Sequence, residues 1–250
     1  MTWVESMSAS FRARHAEADA DDAARVLDQL EQARDTLDHH FPRTVGEIAV
    51  VIHDSELGLA LSHPYLLVAR GLTAPAGRRY LAGWFSAGEV HVLAPRLLAR
   101  RASAVPDSHD LLMLAPAALY AQLVAGTNNR DLPPPFTPAS FNRYVRWAWL
   151  AQGAGQYFSG QTAHVRPAVA RRLHEGSAPS FPPGIRDAVL LGGTVLDLLA
   201  REEGAAAAVR LTSRLHPDGA EAALVEAFRG RELAHTERTW RAHLARLATR

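Results

Sequence analysis

The hydrophobic and polar positions in the first 105 residues predict one amphipathic helix and a small set of strands. Val26, Leu30, Ala33 and Leu37 lie four, three and four residues apart, which places them on one face of a helix. The β-branched run at residues 47–53 has the length and composition of a strand. This part of the chain therefore predicts a helix beside at least one strand.

Three other segments add to the predicted sheet region. Residues 81–85 and 89–93 predict two strands joined by a tight turn at residues 86–88. Residues 10–16 predict a short extended piece ahead of the helix. The sheet is therefore expected to be small.

After Pro106 the pattern becomes helical. The apolar run at 111–125 predicts a buried helix with Ser108 as its N-cap, and Pro116 either kinks this helix or marks its real start. A rigid Pro-rich connector at 132–138 leads to a second helix at 147–158.

A Pro-rich loop at 179–183 precedes the last part of the chain, for which the pattern predicts three closing helices. The fold class is predicted as α+β: an N-terminal helix and small mixed sheet, followed by a mostly helical part. We expect a single domain over 1–250, with an α+β sub-lobe at about 1–105 and a helical one at 106–250.

Composition narrows the classes of partner. Hydrophobic residues make up 48% and charged residues 21% of the chain, as in ordinary globular proteins. A formal net charge of +1 gives no reason to expect a nucleic-acid or membrane partner. Cysteine is absent, which excludes disulfides and thiolate metal sites. No signal peptide is visible and the longest apolar run is too short to span a bilayer, so a cytoplasmic location is expected.

Two helical segments carry a resemblance to a known family. Residues 117–124 read Ala-Ala-Leu-Tyr-Ala-Gln-Leu-Val, and residues 149–158 read Trp-Leu-Ala-Gln-Gly-Ala-Gly-Gln-Tyr-Phe. In this order and spacing they resemble the zinc helix and the following helix of the gluzincin-type metallopeptidases (the peptidase MA superfamily). In that family the first helix reads His-Glu-x-x-His and the second Trp-Leu-x-Glu-Gly-x-x-x-Tyr-Phe. The resemblance implies a zincin-like fold over nearly the whole chain from about Phe11.

The resemblance also implies that the zinc site is degenerate. Its first ligand position is Ala118, its general-base position Leu119, its second ligand position Gln122 and its third Gln152. Catalytic zinc needs three ligands with nitrogen or carboxylate lone pairs, and alanine offers none. Neutral amide oxygens are poor zinc ligands, and leucine cannot take a proton from a bound water. We therefore expect no metal, no cofactor and no catalytic residue at these positions.

The family's closing segment and its cleft-side hairpin also have counterparts here. The hairpin counterpart lies at 82–93 and the closing segment at 227–244. In such a frame the strand at 89–93 is expected to be an edge strand that presents its backbone to an extended peptide. We further expect that Gln122 and Gln152 face each other and can give hydrogen bonds to each other or to a ligand. The residues expected to line the cleft are Tyr120, Trp149, Gln156, Tyr157, Glu89 and His91.

The favoured hypothesis is a catalytically inactive metallopeptidase-like protein that binds a peptide or protein in its cleft or serves as a scaffold. A second hypothesis is a metal-dependent hydrolase with relocated ligands, for which His109, His164 and His91 are the histidines of interest. A third is a purely structural protein that assembles through its closing helices. The adjacent pair His39 and His40 is expected to be solvated surface.

Overall fold

The computed structural model describes residues 2–86, 88–132 and 138–249, and five strands in these ranges form one mixed sheet. The strands are β1 (Trp3–Met7), β2 (Phe11–Ala16), β3 (Ile48–His53), β4 (Gly83–Ser86) and β5 (Glu89–Leu93). Their order is β1-β2-β3-β5-β4; β2, β3 and β5 run parallel, and the two outer strands are antiparallel to their neighbours. A small mixed sheet followed by helices confirms the predicted α+β class.

The helices of the described residues extend from residue 20 to residue 249. They are α1 (Ala20–Asp38), α2 (Glu56–Ser62), α3 (Pro64–Leu72), α4 (Pro75–Arg78), α5 (Pro95–Arg101), α6 (Ser108–Met113), α7 (Ala115–Asn128), α8 (Pro138–Phe158), α9 (Arg166–His174), α10 (Ile185–Glu203), α11 (Ala205–Ser213), α12 (Ala220–Ala227) and α13 (Leu233–Thr249). Short 3-10 turns occupy Glu17–Asp19 and Gln161–His164. Four helices, not the predicted three, follow the loop at 179–183, because α11 and α12 are short and separate.

The two edges of the sheet differ in exposure. β1 forms one edge, and its residues alternate between exposed and half-buried, with Met7 71% exposed. β4 forms the other edge, and Trp84 and Phe85 within it are only 3% and 5% exposed. The chain thus opens with a strand that the pattern did not predict, because β1 lacks a buried apolar face. The prediction that β5 is an edge strand is wrong, because β5 lies between β3 and β4 and is hydrogen-bonded to both.

The two faces of the sheet are covered by different helices. Val50, Ile52, Val90 and Val92 are fully buried and belong to the core that α1 and α7 share with the sheet. Residues on neighbouring positions of the same strands point to the opposite face. There α2 contacts β3 and β5.

The long apolar segment after Pro106 is two helices, not one. α6 ends at Met113, and α7 begins at Ala115 with Pro116 in its first turn. Of the two expectations for Pro116, a kink or the start of the helix, the second is therefore confirmed. The predicted N-cap at Ser108 is wrong. Asp107, in a left-handed conformation, precedes α6, while the Ser108 hydroxyl accepts a hydrogen bond from the Ser103 N–H at 3.0 Å.

The second site helix begins earlier than predicted, at Pro138, and contains a non-helical residue at Trp147. The predicted connector at 132–138 and the turn at 86–88 lie partly outside the described residues.

α8 crosses α10 at glycines that bring the two backbones into contact. A Cβ atom on Gly192 would lie 2.4 Å from the Trp149 carbonyl oxygen, and one on Gly153 would lie 2.7 Å from the backbone of Gly192. Only glycine permits such an approach. The crossing therefore fixes the position of α8, and with it the wall of the site that α7 and α8 form.

Candidate functional site

The four degenerate positions lie around one small cavity. Ala118, Leu119 and Gln122 from α7 and Gln152 from α8 all line it, together with β4 and parts of α9 and α10. Its volume is about 40 Å³, which exceeds the roughly 10–15 Å³ that one water needs but leaves no room for an extended peptide. The structure therefore brings together the residues that the two motif segments singled out.

The two glutamines of this cavity have different partners. Gln152 Nε2 donates a hydrogen bond to the hydroxyl of Tyr144, and burial raises the pKa of that phenol to about 12. Gln122 is 6% exposed, and its Oε1 has no hydrogen-bond partner among the described residues. Of the two expected arrangements, the mutual Gln122–Gln152 hydrogen bond is therefore wrong, and hydrogen bonding to a ligand stays a prediction. Tyr144, which the sequence reasoning missed, lies eight residues before Gln152 and is the amide's actual partner.

A second buried polar group at this cavity has no partner. Trp84 lines the cavity from β4, and within the described ranges its indole Nε1 has no acceptor. Of the residues that line the cavity, Trp84 thus has an unpaired donor and Gln122 an unpaired acceptor. Such a pair suits an occupant that can both accept and donate a hydrogen bond.

Leu119 closes the space between α7 and the edge of the sheet. A Cβ atom on Gly83 would lie 2.5 Å from Leu119 Cδ1, so the leucine side chain packs directly on β4. The residue at the family's general-base position thus has a packing role. No Asp, Glu, His, Lys or Arg lines the cavity in the part of the chain that the structure describes.

Gln156 is the one expected cleft-lining residue that does line this cavity, and both ends of its amide bond to α10. Its Nε2 donates to the Ala188 carbonyl at 3.1 Å and its Oε1 accepts from the Gly193 N–H at 2.7 Å. The side chain therefore joins α8 to α10.

The three expected aromatic residues lie elsewhere. The Tyr120 hydroxyl donates to the Val45 carbonyl at 2.8 Å, and its ring packs edge-on against Phe11 in the core. Tyr120 is two residues from Ala118, about 200° around the helix, so it faces away from the cavity. Trp149 is 1% exposed, and Tyr157 lines a different surface pocket. Their expected place in the cleft is wrong.

Glu89 and His91 also lie outside the cavity, on the face of the sheet that α2 covers. His91 Nδ1 is 3.0 Å from His53 Nε2, its Nε2 is 3.5 Å from Glu89 Oε2, and the ring of His63 packs edge-on against it at 4.6 Å between centroids. The structure thus reveals a cluster of three imidazoles, of which the sequence analysis named only His91. The alternation within β3 and β5 could have indicated that His53 and His91 share a face.

Burial keeps these histidines neutral. Desolvation, helped by the neighbouring His91, lowers the pKa of His53 to about 4. Desolvation also lowers the pKa values of His63 and His91, while Glu89 acts in the opposite direction.

His164 takes part in the one group of three potential metal donors found within the described ranges. Its Nδ1 lies 3.3 Å from Asp107 Oδ1 and 3.9 Å from Asp110 Oδ2. Asp110 is exposed, the other two are half-buried, and none of the three lines the cavity around Gln122 and Gln152, hereafter the amide cavity. His109, also of interest, is exposed beside Asp110, and His39 and His40 are exposed as predicted.

Comparisons with known proteins add no relative. A scan against protein-family models, a search of curated proteins and a search of solved structures each returned no match. None of the helices in the described ranges combines the length and apolar character that a membrane span requires.

Proposed function

We propose that this protein is a non-catalytic, metallopeptidase-like protein that acts by binding another molecule. The observation that carries the proposal is the cavity between α7 and α8, where the four positions that would hold the zinc site meet as alanine, leucine and two glutamines. Among the described residues that line the cavity there is no carboxylate or imidazole to activate a water for attack on a peptide bond.

Zinc does not fit these residues. Ala118 supplies no donor atom, and the Gln152 amide is already engaged with Tyr144. Gln122 and Gln152 can offer only neutral amide oxygens, and two such oxygens fall short of the three ligands that catalytic zinc uses. No hydrolytic step is therefore assigned to this site.

The binding role rests on two residues that line the cavity and each carry an unpartnered buried polar atom in the described structure, Gln122 (Oε1) and Trp84 (Nε1). Each would gain a hydrogen bond from an amide, which carries both a donor and an acceptor. A peptide or protein ligand could supply such a group, provided that the side chains covering β4 move aside, because this edge strand is buried.

The two alternatives have less support. For a relocated metal site, the group of potential metal donors within the described residues is Asp107, Asp110 and His164, and it does not line the cavity. An assembly role through the closing helices is not favoured, because Trp240, His243, Leu244 and Leu247 turn α13 inward.

Zinc content tests the non-catalytic part of the proposal. The purified protein is expected to contain well below one zinc per chain by elemental analysis. The variant Ala118→His/Leu119→Glu/Gln122→His/Gln152→Glu restores all four positions and is expected to bind about one zinc. Its matched control keeps Gln152 and restores only the other three, and should bind zinc more weakly. Stoichiometric zinc in the unmodified protein that is lost on Asp107→Asn would instead support the relocated site.

A peptide-library screen tests the binding part. Leu119→Ala removes the side chain that lies between α7 and Gly83, so this variant is expected to bind selected peptides more tightly than the unmodified protein. Leu123→Ala is the matched control, since it truncates the same residue type one turn further along α7 outside the cavity. If neither the unmodified protein nor Leu119→Ala retains any peptide, the cleft has no binding role.

A further inference from the structure

A second cavity, of about 160 Å³, lies between α11 and α12 and shares no residue with the amide cavity. Its floor is apolar and consists mostly of small side chains: Ala207, Leu211, Ala223 and Ala227. Its rim is polar and mainly basic: Arg210, Arg214, His216, Glu226 and Arg229. Because the floor residues are small, the space between the two helices is left open and not filled by the chain itself.

The arginines of the rim are incompletely neutralised. Arg210 lies in the last turn of α11, and Arg214 follows the end of this helix in an extended conformation; both line the cavity. Arg210 has no ion-pair partner among residues 2–86, 88–132 and 138–249, whereas Arg229 pairs with Glu203. The rim therefore carries a positive charge that no group of the described chain balances.

The chain's own carboxylate indicates what the rim attracts. Glu226 lies 3.7 Å from Arg214 Nη2 and 3.4 Å from His216 Nε2. Charge-assisted hydrogen bonds between such groups are about 2.7–2.9 Å long, so Glu226 is held loosely. An incoming carboxylate that forms shorter bonds could replace it without breaking a hydrogen bond within the protein.

We propose that this cavity binds a small monocarboxylate with a short apolar body. The carboxylate lies between the guanidinium groups of Arg210 and Arg214, whose fork geometry suits two parallel hydrogen bonds. The apolar body covers Ala207, Ala223 and Ala227, and its burial adds the hydrophobic contribution. Binding through the floor and the rim together distinguishes this ligand class from inorganic anions and from alcohols.

Hexanoate is a suitable probe, with hexan-1-ol and inorganic phosphate as comparators. Isothermal titration calorimetry of the full chain at low salt is expected to show saturable one-to-one binding of hexanoate. Hexanol should bind at least about tenfold more weakly because it lacks the charged hydrogen bonds, and phosphate should bind more weakly because it lacks the apolar body. An absence of saturable hexanoate binding, or equal binding of hexanol or phosphate, would overturn the proposal.

Variants then locate the site. Arg210→Gln and Arg214→Gln should each weaken hexanoate binding about tenfold or more, and Ala227→Leu should do the same by filling the floor. Arg100→Gln on α5 is the matched control for an exposed arginine and should leave binding unchanged. Circular dichroism shows whether each variant folds. If Ala227→Leu does not fold, the two surface arginine variants still test the proposal. Unchanged binding in both Arg210→Gln and Arg214→Gln would place the ligand elsewhere and contradict the proposal.

Discussion

At the scale of single residues, two glutamines at one cavity make opposite contributions to stability. Gln152 Nε2 donates a hydrogen bond to the buried Tyr144 hydroxyl. Gln122 Oε1 is buried without a partner in the described structure, a situation that costs about 1–3 kcal/mol. The same residue type is therefore stabilising at one position and costly at the other.

We expect methionine to separate these two contributions, because it keeps the length of glutamine without its polar atoms. Gln122→Met should raise the free energy of unfolding by about 1 kcal/mol, since it removes an unsatisfied acceptor. Gln152→Met should lower it by about 1 kcal/mol, since it leaves the Tyr144 hydroxyl unpaired. Urea unfolding of both variants measures the difference. Equal losses in the two variants would show that Gln122 has a partner after all, such as a bound water.

At the scale of secondary-structure elements, the histidine cluster couples the sheet to the segment that covers it. His53 and His91 project from β3 and β5, and His63 lies at the junction of α2 and α3. The groups that face these imidazoles are one another, Asp54 and Glu89. Because burial outweighs the two carboxylates, all three rings favour the neutral form.

Stability is therefore expected to fall with acidification. The pKa of His53 drops from 6.5 in the unfolded chain to about 4 in the fold, so below pH 6.5 the unfolded chain binds more protons. The stabilisation is complete above pH 6.5 and decreases as the pH falls towards 4, by about 1–3 kcal/mol. Urea unfolding at pH 7, 5.5 and 4.5 measures this slope. His53→Gln should flatten it, whereas His39→Gln, at an exposed histidine, should not.

The crossing of α8 and α10 depends on the missing side chain at Gly192. A Cβ there would lie 2.4 Å from the Trp149 carbonyl oxygen, so Gly192→Ala must push the two helices apart. We expect a loss of about 3 kcal/mol or failure to fold. Gly71→Ala is the control: its Cβ would meet nothing within 4 Å, and alanine should favour α3. Thermal unfolding compares the two, and equal melting temperatures would contradict the close crossing.

The elements that could be predicted from sequence are those with a clear period. β3, β5 and the amphipathic α1 follow from the spacing of their apolar residues, and α7 follows from its unbroken apolar run. The strand β1 could not be predicted, because an edge strand with no buried face carries little pattern. The motif segments correctly indicated which four residues meet, but not the role of Tyr144 or the covered state of β4. The covered state of β4 depends on contacts between elements distant in sequence, whereas the Tyr144–Gln152 hydrogen bond lies within α8, outside the motif segment that begins at Trp149.

At the scale of the whole molecule, the position of the site is fixed by packing between helices. α8 is held to α10 by the glycine contacts and by both ends of the Gln156 amide. In a structural zinc site, by contrast, the metal itself contributes folding energy. In the described structure, the contacts between α8 and α10 hold this part of the fold together by packing and hydrogen bonding.

Chelators and added zinc are therefore expected to leave the melting temperature unchanged. A ligand that binds the native state stabilises it by mass action, so a real zinc site would shift the transition at zinc concentrations well above its dissociation constant. Differential scanning calorimetry measures the melting temperature under three conditions: with EDTA, with added zinc and with neither. A melting temperature that rises by several degrees with zinc would indicate a metal site, and the shift in Gln122→Met and Asp107→Asn would show which one.

The unequal edges of the sheet also limit how copies of this chain could associate. Growth of a polymer requires two reactive ends on every subunit, and a sheet grows by adding strands at exposed edges. Here β1 is the open edge, while the opposite edge, β4, is buried beneath its neighbours. Each molecule is thus monofunctional in the sense of polymer chemistry. Strand pairing between copies would stop at two chains and could not propagate into a fibre.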